Sequence, residues 1–167
     1  AMQTKEEDHV ASMFVTSSHD YVMFITNCGR LHWLKGYRIP EGSRQSKGKP
    51  IVNLLSDLEE GEKVVNTICA SGFPEDRYLV FCTREGLIKK TSLAAYGNVR
   101  ARGIKAIKLD EGDELIETDI TNGDEQIIIA SADGQAVRFD ESDVRAMGRD
   151  TMGVKGMTLN DGDRVVS

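Results

Sequence analysis

Three times along the chain an apolar run closes on a glycine and a second run follows at once. The units span Val22–Leu34, Tyr78–Lys90 and Gln126–Phe139, turning at Gly29, Gly86 and Gly134. Val, Ile, Phe and Thr favour extended backbone, and the tight spacing leaves no room for an intervening helix. Glycine supplies the positive φ of a tight turn without steric cost. Each unit therefore predicts an antiparallel hairpin.

A second motif follows each hairpin: Lys47–Leu54, Arg102–Leu109 and Met152–Leu159, with Gly48, Gly103 and Gly153 in register. An acidic turn comes next every time, at Glu59-Glu60-Gly61-Glu62, Asp110-Glu111-Gly112-Asp113 and Asn160-Asp161-Gly162-Asp163. The glycines of these turns lie 51 and 50 residues apart. A period of this length with about four strands per unit is that of a propeller blade. Ser142–Met147 predicts one short helical turn capped by Ser142, and no long amphipathic helix is visible. The fold class is all-β: a β-propeller-like partial ring of about three repeats, over 9–65, 66–116 and 117–167. Residues 1–8 read as a cloning scar (Ala1 before Met2) and a polar leader, and 9–167 as one domain.

Composition is ordinary for a soluble chain of 167 residues, 40% hydrophobic and 29% charged, which excludes collagen, coiled coil and wholesale disorder. No apolar run approaches the roughly 18 residues of a membrane span, and the acidic start is no signal peptide. Cys28, Cys69 and Cys82 form no CxxC pair and read as buried thiols of a reducing cytoplasm.

The net charge of −6 argues against nucleic acid until its distribution is considered. Between Arg30 and Lys49 six basic residues face Glu41 alone, and between Arg84 and Lys108 seven face Glu85 alone. Asp110–Glu125 carries eight carboxylates and no Lys or Arg. Alternating blocks in a repeating fold can collect each sign on its own surface.

Catalytic motifs are missing: no P-loop, no HExxH and no GxSxG. His9, His19 and His32 lack metal-ligand spacing, and His32 reads as a surface position on a strand. The carboxylates read as solvated turn residues. No metal site and no catalytic residue is expected, and Tyr21, Tyr37, Tyr78 and Tyr96 are expected in core or rim packing.

These motifs resemble the C-terminal domain of DNA gyrase A, a family of bacterial type IIA topoisomerases. The most specific stretches are Gly48–Leu55, Lys105–Ile116 and Val137–Gly148, and similarity runs from about Glu6 to Ser167. The resemblance implies a six-bladed β-pinwheel whose blades exchange strands and whose basic rim wraps double-stranded DNA. This chain corresponds to roughly its second to fourth blades. The breakage-reunion tyrosine, ATP and Mg²⁺ are expected only in the rest of the holoenzyme, so this chain needs no cofactor. The remaining parts of gyrase A, together with gyrase B, are the implied partners, in a bacterial cytoplasm on the chromosome. The family's heptapeptide box (Gln-Arg-Arg-Gly-Gly-Lys-Gly-like) belongs to the first blade and is absent. Arg44–Lys49 only echoes it, which leaves the topoisomerase IV homologue as the alternative, and a protein-binding propeller scaffold as the rival.

For a DNA-wrapping rim, the expected phosphate contacts are Lys35, Arg44, Lys47 and Lys49 in the first unit. Lys89, Lys90, Arg100, Arg102 and Lys105 follow in the second, and Arg145, Arg149 and Lys155 in the third. Such a rim reads backbone and bendability rather than base edges, and the acidic turns are expected to face away. An open arc exposes two edges, so edge-to-edge self-association is also expected.

Overall fold

The predicted hairpins form where the glycines stand. In the computed structural model, which describes residues 13–55, 57–97 and 103–167, β1 (Tyr21–Thr26) turns into β2 (Arg30–Lys35). Likewise β4 (Tyr78–Thr83) turns into β5 (Leu87–Ser92), and β8 (Gln126–Ala130) into β9 (Ala136–Asp140). Gly29 and Gly86 hold φ of 77° and 88°, values that a side chain would strain. A hydroxyl clamps each turn: Thr26, Thr83 and Ser131 accept through Oγ from the N–H of Arg30, Leu87 and Gln135 at 3.2–3.3 Å.

Four further strands complete two of these hairpins. They are β3 (Val64–Ala70), β6 (Ile104–Lys105), β7 (Leu115–Thr121) and β10 (Val154–Lys155). The first sheet runs β3-β1-β2-β6, the second β7-β4-β5-β10, and the third is the hairpin β8-β9. The short strands β6 and β10 cross over: each leaves its own unit and pairs with the inner strand of the sheet before it. Leu31 faces Ile104 and Arg30 faces Lys105, just as Ile88 faces Val154 and Leu87 faces Lys155. The hydrogen-bonded sheets thus cut across the sequence units.

Strand alternation explains the continuous apolar runs. Met23 and Ile25 point from β1 into the core shared with the second sheet, where Leu79, Phe81, Tyr96, Ile107 and Leu115 meet them. Val22 and Phe24 point the other way, onto Leu55. The second sheet is also covered on both faces, with Val80 and Ile88 packing against Ile129, Val144, Met157 and Val165. A sheet covered on both faces reads as unbroken hydrophobicity.

The turn expected over Ser142–Met147 is instead a single 3₁₀ turn at Glu141–Asp143 with no side-chain cap. Val144 leaves it extended, and Met147 donates its N–H to Lys90 O at 2.8 Å. Bonding to β5 replaces the next helical bond, which ends the helix after one turn. Among the described residues no helix is long and apolar enough to cross a membrane.

Candidate nucleic-acid interface

The expected phosphate contacts divide sharply. Arg44, Lys47 and Lys49 lie on a stretch in which every residue from Pro40 to Pro50 is exposed, and none pairs with a carboxylate among the described residues. Lys155 and Arg145 are exposed and Arg149 is half-buried. Lys105 is exposed, with its amine 3.9 Å from Asp150, a solvent-screened contact of little energetic weight. Lys35 is half-buried: its amine donates to His19 O at 2.9 Å and sits 3.6 Å above the Tyr21 ring. Arg100 and Arg102 lie outside the described residues.

Lys89 and Lys90 correct the expectation, because both are inside. Lys89 is 0% exposed, and its amine donates to the carbonyl oxygens of Ala106 (2.7 Å) and Arg149. Burial lowers its pKa to about 8, while Asp150 works in the opposite direction. Lys90 donates to Glu141 O at 3.1 Å, lies 3.7 Å from the Glu141 carboxylate and stands over the Tyr78 ring. Neither amine is free for a phosphate. Repeat alignment carries a signal here: Lys89 falls at the position of His32 and Val137, and Lys90 at that of Trp33 and Arg138.

The acidic turns hold structural groups that their sequence context assigns to solvent. Glu62 is buried: its carboxylate accepts from Thr26 Oγ1, Arg30 Nη1 and the Glu59 N–H, each at 2.8 Å. Burial works against its ionisation, but the Glu59 and Thr26 hydrogen bonds and the Arg30 charge outweigh it and hold the carboxyl below its ordinary pKa. His32 is also buried rather than on the surface, with Nε2 3.5 Å from Glu62. Burial lowers its pKa, so the ring is neutral at pH 7. Asp113 and Asp163 occupy the position of Glu62 in the later units. Each staples its turn to a hairpin, Asp113 accepting from Glu85 N and Glu114 N, Asp163 from Asp133 N and Arg164 N. Glu141 is 0% exposed and accepts from Thr121 Oγ1 and the Glu125 N–H.

These turns also consume cations. Arg30 is taken by Glu62, and Arg84 bonds Glu114 (3.2 Å) and Gly112 O (2.9 Å). Cys28 departs from expectation as well, being exposed at its turn, whereas burial pushes the Cys82 thiol up to about 12. Tyr96 is buried, its hydroxyl donating to Ala106 O at 3.1 Å, while Tyr37 is 60% exposed. Of the expected phosphate contacts, Arg44, Lys47, Lys49, Lys105, Arg145 and Lys155 are exposed.

Comparison with known proteins agrees with this architecture. The family model of the DNA gyrase C-terminal domain, a beta-propeller, matches at 20–71, 77–122 and 125–167, once per hairpin unit. DNA gyrase A of Clostridium acetobutylicum is 48% identical over 156 residues, 93% of this chain and 19% of that protein. The chain thus spans about a fifth of the curated relative it matches. The crystal structure of the C-terminal domain of DNA topoisomerase IV superposes with a TM-score of 0.89 at 29% identity, covering 99% of this chain and 51% of that one. The structure of the DNA gyrase A C-terminal domain gives 0.74, also at 29% identity, over 91% and 48%. Three family matches on three hairpins, over most of the chain, place it: the chain belongs to the DNA gyrase C-terminal domain family of β-propellers.

Proposed function

We propose that this chain is a non-catalytic module of DNA gyrase A that binds double-stranded DNA and bends it along its surface, supporting negative supercoiling by the whole ATP-driven enzyme. The observation that carries this reading is the exposed Pro40–Pro50 stretch, where Arg44, Lys47 and Lys49 face solvent with Glu41 as the only carboxylate. Unpaired cations on an exposed loop neutralise phosphates and release condensed counterions. No groove-entering helix occurs among the described residues, so contacts would fall on the sugar-phosphate backbone and tolerate any sequence. ATP hydrolysis and strand passage belong to other parts of the enzyme, as does any Mg²⁺, in a bacterial cytoplasm.

A salt titration of binding to a long duplex tests this. Reversing Arg44, Lys47 and Lys49 to Glu should lower the slope of log K against log[salt] by about 2.7, at about 0.9 per lost contact. Reversing Asp110 and Glu111, both exposed, to Lys is the control and should leave the wild-type slope intact. A second readout is the linking number captured when a nicked circle is resealed on the protein, which should shift only when those cations are present. An unchanged slope in the triple variant would remove the loop from the interface.

The closer superposition on the topoisomerase IV domain favours a second reading, in which this chain is the equivalent domain of a topoisomerase IV rather than of a gyrase. Supercoiling by the full-length parent with its ATPase partner separates the two.

A further inference from the structure

Lys89 is a buried cation that no phosphate reaches, yet both segments bound to its amine carry cations of the expected interface. We propose that Lys89 is a positioning residue: by bridging the carbonyl oxygens of Ala106 and Arg149 it holds Lys105 and Arg149, contributed by different repeat units, side by side as one phosphate-binding pair. The proposal rests on the DNA-binding reading above and deepens it.

The bridge starts from the middle of β5, where Lys89 pairs with Phe81 of β4 and its amine lies 5.8 Å from that ring. An ammonium has three N–H donors. Two of them go to backbone carbonyls 17 and 60 residues further along the chain, Ala106 O at 2.7 Å and Arg149 O. Ala106 follows directly on Lys105 at the end of β6, and Arg149 lies in the turn before β10. From there the two segments run together: Lys108 donates its N–H to Thr151 O at 3.0 Å, and the Lys105 amine lies 3.9 Å from Asp150. Asp150 raises the pKa of the Lys89 amine and Arg149 lowers it, so both charges belong to the same cluster. Lys105 is exposed and Arg149 half-buried, and the seam thus brings one cation from each unit to the surface.

What the bridge contributes is alignment. β6 is held to β2 through two residues only, and the Met147 N–H ties its own segment to Lys90 O on β5. Lys89 ties the two segments to each other. A carbonyl turned away from water needs a donor, and one amine serves both, so neither segment can shift without losing its bond. An apolar side chain of the same length would fill the space at lower desolvation cost but would join nothing. The equivalent positions of the other units hold His32 and Val137, neither of which carries an ammonium. Cations held at a fixed separation lose less freedom on binding phosphates than cations on independent loops, which is where the alignment enters affinity.

Salt-titrated binding to a long duplex tests the role. Lys89→Met should lower the slope of log K against log[salt] by about 1.8, two contacts at about 0.9 each, although Lys105 and Arg149 are still present. In a Lys105→Ala/Arg149→Ala background the slope has already fallen by that amount, and adding Lys89→Met should lower it no further. Tyr96→Phe removes a second donor to Ala106 O but leaves the bridge, so it should loosen the core and keep the wild-type slope. Circular dichroism checks that each variant is folded, and Lys89→Gln, too short to reach both carbonyls, takes the place of Lys89→Met if that variant does not fold. A wild-type slope in Lys89→Met, with a reduced one in Lys105→Ala/Arg149→Ala, would overturn the positioning role and leave the DNA reading standing. So would an equal fall in Tyr96→Phe, or a further fall when Lys89→Met joins the double variant. A slope unmoved by Lys105→Ala/Arg149→Ala but reduced by reversing Arg44, Lys47 and Lys49 would remove the pair from the interface, and the proposal with it. Binding by the wild type without salt dependence would end the DNA reading itself, and this proposal together with it.

Discussion

The first and second sheets share strand order, register and even the position of a bulge, which falls at Ile25/Thr26 in one and Cys82/Thr83 in the other. Their polar interiors differ: the first buries Glu62 with His32, the second Lys89 and Lys90 with Glu141. The first sheet buries a carboxylate, Glu62, and satisfies it with Thr26, Arg30 and a backbone N–H. At the position where the first sheet has His32, the second buries the amine of Lys89 and satisfies it with two carbonyls. The shared backbone thus follows from glycine placement and two-sided hydrophobicity, while the buried charge can be of either sign. What the two sheets have in common is satisfaction of the charge, because an unpaired one in the interior costs far more than the pair contributes.

Breaking the first network should have the largest effect. Glu62→Ala leaves Arg30 and Thr26 without their acceptor and should cost about 3–5 kcal/mol in urea unfolding, the range for removing one partner of a buried pair. Lys89→Met strands two buried carbonyls and should cost less, about 1–3 kcal/mol, since it also removes a buried charge. Asp113→Ala, at the same position as Glu62 but holding only two backbone N–H groups, should cost about 1–2 kcal/mol. A loss for Asp113→Ala equal to that for Glu62→Ala would erase the distinction between the sheets.

The pH dependence sharpens the same contrast: both folded pKa values are depressed, so both contributions rise with pH, but in separate windows. Glu62 has a folded pKa below its ordinary 4.5, so its contribution is complete above that value and is lost as the pH falls through the folded pKa. The stability gap between wild type and Glu62→Gln should therefore close on acidification. Lys89 has a folded pKa of about 8 against an ordinary 10.5. Between those values the unfolded chain binds more protons, so stability relative to Lys89→Met should rise with pH. Denaturant midpoints at pH 3, 7 and 9.5 (roughly, to bracket both groups) measure both. A gap that is flat in acid would remove the ionised Glu62 from the first sheet's energetics. The smallest effect belongs to Arg44, Lys47 and Lys49: exposed charges reversed together should move stability by less than about 0.5 kcal/mol.

Much of the hairpin framework was legible in the chain. The glycines at 29, 86 and 134 all hold positive φ, as do Gly61, Gly112 and Gly162 in the acidic turns. The site was less legible, because charge counted along a segment does not say which way a side chain points. Lys89 and Lys90 belong to the most basic block and are inside, and Glu62 belongs to an acidic turn and is inside as well. His32 reads as a surface position because one strand has two faces, and nothing local tells which is covered by the next unit.

By itself the sequence determined the three hairpins, their turn glycines and the all-β class, since these depend on backbone sterics and on apolar spacing over a few residues. Only the tertiary structure decided that Ile104–Lys105 and Val154–Lys155 cross to the preceding sheet, and with that which cations stay in water. The crossover brings Ala106 and Arg149 over Lys89 and Gly103 against His32. Burial of a charge is a property of what arrives from elsewhere in the chain, here from residues 17 to 60 positions away from Lys89, and local pattern carries no record of that arrival.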